Sequence, residues 1–131
     1  MPGYGIPSLN GSFKAYDEDL VNKQFRAAKL TSDGTVDFST AATDKSIGII
    51  NNVPDDAAGR DVEVILLGEA KAKAGSGGWT IGDRLTADSN GDLVAMTPGN
   101  TTANYSVGIA LEAADQYDIK RILVLPTIVL V

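Results

Sequence analysis

The sequence predicts an all-β protein: a compact barrel or sandwich built from two similar halves, with room for one or two short helices and an extended N-terminal arm. Three observations carry this prediction. Turn signals recur about every 8–12 residues between short β-branched runs, the rhythm of a sandwich or barrel. A set of strand-like motifs occurs twice in the same order. The chain has 131 residues, 44% of them hydrophobic, which suits one domain, or two very small lobes sharing a core, and is too apolar for intrinsic disorder.

Residues 1 to 14 read as an extended, loop-rich arm. Pro2, Gly3, Gly5, Pro7, Asn10 and Gly11 interrupt it too often for a helix or long strand. Tyr4, Ile6, Leu9 and Phe13 still give it apolar handles. The remainder, 15 to 131, reads as a single β-rich domain. Asp17-Glu18-Asp19 could open a helix, since acidic side chains suit a first helical turn. A strand over Phe25 to Leu30 is preferred, because it runs into Asp33-Gly34, a hairpin turn flanked by apolar residues. Val36 to Phe38 returns from that turn. Ser46-Ile47-Gly48-Ile49-Ile50 and Val62 to Leu67 are strands by their β-branched content, with a turn between them at Val53 to Gly59. Gly75-Ser76-Gly77-Gly78 is a flexible break. Arg84 to Thr86 and Leu93 to Met96 flank Asn90-Gly91, a second hairpin signal. Val107 to Ala110 and Ile119 to Leu125 complete the series.

The duplication spans about 25–74 and 79–131. Lys29-Leu30-Thr31-Ser32-Asp33-Gly34 echoes Arg84-Leu85-Thr86 with the turn that follows it. Ser46-Ile47-Gly48-Ile49 echoes Ser106-Val107-Gly108-Ile109, and Asp61 to Leu67 echoes Asp118 to Val124. The glycines Gly48 and Gly108 sit mid-strand, where a missing side chain permits a bend or a close backbone approach. Val62 to Leu67 and Ile122 to Leu125 are apolar on both faces, whereas a one-sided sheet alternates apolar with polar. Their second face therefore needs a cover, from another sheet or another subunit. The tail Thr127 to Val131 repeats that demand at an exposed edge.

Composition excludes much chemistry. There is no cysteine and no histidine, so disulfides, Cys/His metal sites, thiol nucleophiles and His-based relays are impossible. A net charge of −6 repels nucleic acid and anionic lipid, and no basic stripe with interleaved aromatics appears. The longest apolar stretch, Ile122 to Val131, contains Pro126 and Thr127 and is far short of the ~20 residues of a spanning helix. Met1-Pro2-Gly3-Tyr4 has neither the basic start nor the apolar core of a secretory leader. The glycine break at 75–78 lacks the Lys-Ser/Thr of a phosphate loop. Asp88-Ser89-Asn90-Gly91-Asp92 lacks calcium-loop spacing and reads as a hairpin turn. The 17 Asp and Glu residues show no spacing that selects a hydrolytic pair. No catalytic residue, cofactor or metal is expected.

The layout resembles the capsid decoration, or cement, proteins of tailed phage heads. The resemblance is carried by Phe25-Arg26-Ala27-Ala28-Lys29-Leu30, by Ser46 to Asn52 with Ala57-Ala58-Gly59, and by Val62 to Gly68. Trp79-Thr80-Ile81-Gly82-Asp83-Arg84-Leu85, Asp88 to Gly91 and Val107 to Ala113 continue it, over about residues 10 to 125. The chain departs from the family pattern at Tyr117-Asp118, where Gly-Glu is usual. The resemblance implies a non-enzymatic virion protein, made in the host cytoplasm, that binds the outer face of the capsid as a trimer or dimer and bridges subunits of the major capsid protein. The residues expected at capsid or subunit contacts are Pro2, Tyr4, Ile6, Leu9, Phe13, Trp79, Ile128 and Leu130, although a lone Trp after a glycine loop is more often a core residue. The alternative from another class is a ligand-binding β-sandwich, for carbohydrate or a host surface, with Trp79 and Tyr105 as stacking platforms.

Overall fold

The computed structural model describes residues 8–16, 20, 22–52, 61–96 and 104–129, with the backbone alone at 128 and 129. Nine strands are formed: β1 (Leu9–Ala15), β2 (Ala27–Ser32), β3 (Thr35–Phe38), β4 (Ser46–Ile50), β5 (Asp61–Lys73), β6 (Arg84–Ala87), β7 (Leu93–Ala95), β8 (Asn104–Ala110) and β9 (Ile119–Val129). No α-helix occurs among the described residues. The strands hydrogen-bond in the order β1-β3-β2-β4-β5-β9-β8-β6-β7, and β1 also pairs with β5. That extra pairing closes β1, β3, β2, β4 and the first half of β5 into a five-stranded barrel.

The structure departs from the sequence expectation at two places. Residues 9 to 14 of the expected loop-rich arm, together with Ala15, form β1, which pairs antiparallel with β5 and parallel with β3. The glycine at 11 did not prevent this, because its position faces Phe13 and Leu66, where a Cβ would meet the Phe13 ring at 2.8 Å. The strand expected from Phe25 begins at Ala27 instead. Phe25 adopts φ 70°, donates its N–H to Ile50 and accepts from Lys73 N–H, so it bridges the two halves rather than continuing β2.

The second half of the chain rebuilds the first, pair by pair. Ala28 opposite Gly48 recurs as Leu85 opposite Gly108. Leu30 opposite Val36 recurs as Ala87 opposite Leu93, and Ile50 opposite Val64 as Ala110 opposite Ile122. Even the parallel contact Ala15 with Val36 has a partner, the isolated bridge of Ala74 with Leu93. The corresponding pairs differ from the sequence echo by two shifts of register. Leu85 matches Ala28, not Leu30, and Lys120 takes the place of Val62. Each unit also starts one strand earlier than its hairpin: the first with β1, the second with the C-terminal half of β5.

The strand β5 thus belongs to both circuits, and the changeover falls at Gly68, whose φ of 106° is a conformation that glycine reaches and other residues avoid. One core, with Ala15, Leu20, Ala28, Val36, Ile50, Val62 and Val64, fills the first barrel. The other, with Ala74, Trp79, Leu85, Leu93, Ala110, Ile122 and Val124, lies within the second circuit, and Ala27, Ile49 and Ile65 join it from the outer face of the first barrel. The cover needed by the two-faced strands comes largely from within the chain: Val62 and Val64 point into one core and Ile65 into the other. The halves are tied by an ion pair of Arg26 Nε with Asp92 Oδ1 at 2.7 Å, and by Ala27 N–H donating to Gly91.

Candidate functional site

At the changeover in β5, apolar side chains have no strand layer above them. Leu67 is the last residue of β5 before Gly68 and stands opposite Leu9. The next residue, Gly68, pairs with Val124 of β9, so Leu125 flanks the same spot. Leu9, Leu67 and Leu125 are 59%, 45% and 40% exposed. Successive strand residues face opposite sides, so β5 sends Leu66 toward the first core and Leu67 outward. These three leucines form an apolar waist where β1, β5 and β9 meet. Beyond Val124, β9 continues to Val129 paired with β8: Ser106 with Thr127, Tyr105 with Ile128, Asn104 with Val129.

Charge beside the waist is internally satisfied. Arg121 bonds Glu69 at 3.0 Å and Glu112 at 3.3 Å. The Arg121 N–H, and then its guanidinium, hold the Glu112 carboxyl below its ordinary range. Of the sequence-expected contact residues, Leu9 lies in the waist and Phe13 is half-buried against the first core. Ile128 is a paired position of β9. Pro2, Tyr4, Ile6 and Leu130 lie outside the described residues. Trp79 is corrected: it is 4% exposed, sits in the second core and donates its Nε1–H to the Glu112 carbonyl at 2.7 Å, so it presents no face to a partner. Leu67 and Leu125 are exposed positions that the sequence reading does not single out; their signal is the apolar residue at the outward position of each long strand.

The titratable groups do structural work. Burial pushes the Asp88 carboxyl above its ordinary value, against the hydrogen bond from Asn90 N–H and with the charge of Asp92 adding to the rise. The same contacts build the hairpin turn expected at 88–92. Among the described residues, no three acidic side chains gather where they could hold a metal ion, and no helix is long and apolar enough to cross a membrane.

Comparison with known proteins agrees with this architecture. No curated protein matches the chain. The head fibre gp8.5 N base of bacteriophage phi29, a crystal structure, is similar in fold, with a TM-score of 0.56 and 19% identity over 91% of this chain and 95% of that one. A family model described as phage cement protein matches residues 18–125. The chain belongs to the phage cement protein family.

Proposed function

We propose that this protein binds the outer surface of an assembled phage capsid and cements it by bridging neighbouring subunits of the major capsid protein. Membership of the cement family gives the capsid-associated structural role. The observation that supports the bridging reading is the apolar waist of Leu9, Leu67 and Leu125, three exposed leucines brought together where β1, β5 and β9 meet. A ligand that binds only the assembled state stabilises it by mass action, and many copies sum modest contacts into a large effect. Residues 2 to 7, which carry Pro2, Tyr4 and Ile6, precede the waist directly in the chain and serve as the contact arm. The tail at Ile128 and Leu130 and the waist provide contacts to the shell and between copies, in a trimer or a dimer. The protein acts on the virion, on the capsid exterior, and runs no reaction.

The test is co-sedimentation with empty mature capsids, together with the solution mass of the free protein. The full chain pellets saturably with capsids. Removal of residues 2 to 7, or Leu67→Glu with Leu125→Glu, abolishes pelleting while the far-ultraviolet circular dichroism stays that of the native protein. A well-folded variant of both kinds that still saturates the capsid at wild-type affinity overturns the assignment of these contacts, and a full chain that never pellets overturns the reading itself.

A further inference from the structure

Within each half, the hairpin turns one face toward whatever lies beyond it. In the second half that face is closed. The Gly91 carbonyl accepts Ala27 N–H, Arg26 reaches Asp92, and Tyr105 N–H donates to Ala42, and Thr86, whose neighbour Ala87 points into the core, is 5% exposed. The registers place Lys29 and Asp37 of the first half at the positions of Thr86 and Val94. There the same face is open. A Cβ built on Gly34 at the hairpin tip meets nothing within 4 Å, and the surface is a depression of about 610 Å³.

The lining differs from its closed counterpart in kind. Tyr16 and Leu30, 56% and 50% exposed, form an apolar platform at its edge. Around them stand Lys29 and Lys45, Asp37 and Asp44, and the hydroxyl of Thr43. Among the described lining residues two cations face two anions, a balance that favours neither an anionic nor a cationic ligand. The polar rim disfavours a purely apolar one. An aromatic ring beside paired hydrogen-bond donors and acceptors suits a ligand with both C–H faces and hydroxyls. The rim is also fixed in place. Asp44 Oδ2 accepts from Lys29 Nζ at 3.0 Å and from Thr40 N–H at 2.8 Å, and the Tyr16 N–H is bonded to Val36. Preorganised polar groups lose less freedom when a ligand arrives.

We propose that this depression is a binding site for neutral saccharide, with Tyr16 as the stacking platform and Asp37, Lys29 and Lys45 as hydroxyl partners. The site is separate from the waist and does not depend on capsid binding. It moves the stacking role from Trp79, which is buried, to a ring that faces solvent.

The experiment titrates the isolated full chain, labelled with nitrogen-15, with maltohexaose, cellohexaose, chitohexaose and dextran, and with sialyllactose as an acidic control. At least one neutral sugar gives saturable amide shifts confined to residues 16, 29–31, 37 and 43–45. Tyr16→Ala weakens that binding about tenfold, the size of one lost stacking contact. Tyr16→Phe keeps it, and Asp37→Asn weakens it. Emission of the buried Trp79 reports that each variant is folded. No saturable shift with any neutral sugar at millimolar concentration overturns the proposal. So do shifts centred elsewhere, binding of sialyllactose alone, or a folded Tyr16→Ala that binds as tightly as the parent.

Discussion

Gly48 and Gly108 hold the same place in two copies of one strand circuit, and for the same reason. A Cβ on Gly48 would stand 2.0 Å from the Ile65 carbonyl oxygen, and one on Gly108 would stand 2.1 Å from that of Leu123. Ile65 and Leu123 are themselves counterparts, opposite Ile49 and Ile109. In each half the backbone of the Gly-centred strand lies against its neighbour more closely than a side chain allows, which lets five short strands close around a small core. The obstacle is backbone, so it cannot rotate away.

Alanine at either glycine therefore forces strands apart. Gly48→Ala and Gly108→Ala each lose about 3 kcal/mol or more, at the upper end of overpacking costs. Gly34→Ala is the control: its φ is 71° and it has open space around it, so it costs only the left-handed backbone penalty, about 1 kcal/mol. Urea unfolding of the three variants checks this. A Gly48→Ala or Gly108→Ala protein as stable as Gly34→Ala would show that the close approach relaxes without cost.

The junction between the halves gives a second prediction. Arg26 and Asp92 are 13% and 4% exposed at their side chains, and the Arg26 guanidinium also donates to the Asn22 carbonyl. Removing one partner strands the other in a dry contact. Arg26→Met or Asp92→Leu costs about 3–5 kcal/mol, and the double variant costs clearly less than the two together. Strict additivity in that double-mutant cycle would mean that the pair does not couple the halves.

Much of this was legible in the chain because turn chemistry is local. Asp33-Gly34 and Asn90-Gly91 mark their hairpins through residues that tolerate positive φ, and both glycines adopt it. The duplication was legible through Gly48 and Gly108, whose spacing carries a backbone requirement. Register was less legible. The two leucines Leu30 and Leu85 suggest a match, yet position 30 corresponds to Ala87, which is buried in the second core, while Leu30 is half exposed. The reach of β5 was hidden too: Gly68 looks like a strand end, although it is the point where one strand passes between two barrels. The strand β1 was hidden because its partners are distant in sequence, and long-range pairing overrides weak local propensity. The waist depends on both of these, so of its three leucines only Leu9 could be named beforehand.

The pairing of β1 determines how the N-terminus responds to truncation. Six pairs join β1 to β5, and two more join it to β3. Phe13 and Ala15 contribute to the first core. Deleting residues 2 to 7 leaves all of this intact and changes the unfolding midpoint little. Deleting 2 to 14 removes the strand that closes the first barrel, exposes edges of β3 and β5, and gives an unstable, aggregation-prone chain. Light scattering with circular dichroism separates the two. A 2–14 deletion that stays monodisperse and fully β-structured would show that the barrel closes without β1.

The two carboxylates with opposite shifts predict opposite responses to pH. At Asp44 desolvation raises the pKa, but the hydrogen bonds from Thr40 and Lys29 outweigh it, so the folded value lies below the ordinary 3.8. Its stabilisation is complete above 3.8 and is lost as pH falls through the lower folded value. At Asp88 desolvation dominates and the folded value lies above 3.8. Ionisation there opposes folding, with a penalty that is absent below 3.8, grows as pH rises through the folded value and is complete above it. Asp88→Asn keeps an oxygen for the Asn90 N–H and removes that penalty. It raises the melting temperature at about pH 7, and the gain fades toward about pH 3. Asp44→Asn lowers the melting temperature at about pH 7, and its loss also shrinks toward about pH 3. Thermal melts of both variants and the parent across that range check the signs. Two variants shifted in the same direction at neutral pH, or differences that do not narrow on acidification, would overturn the assignment of opposite roles to Asp44 and Asp88.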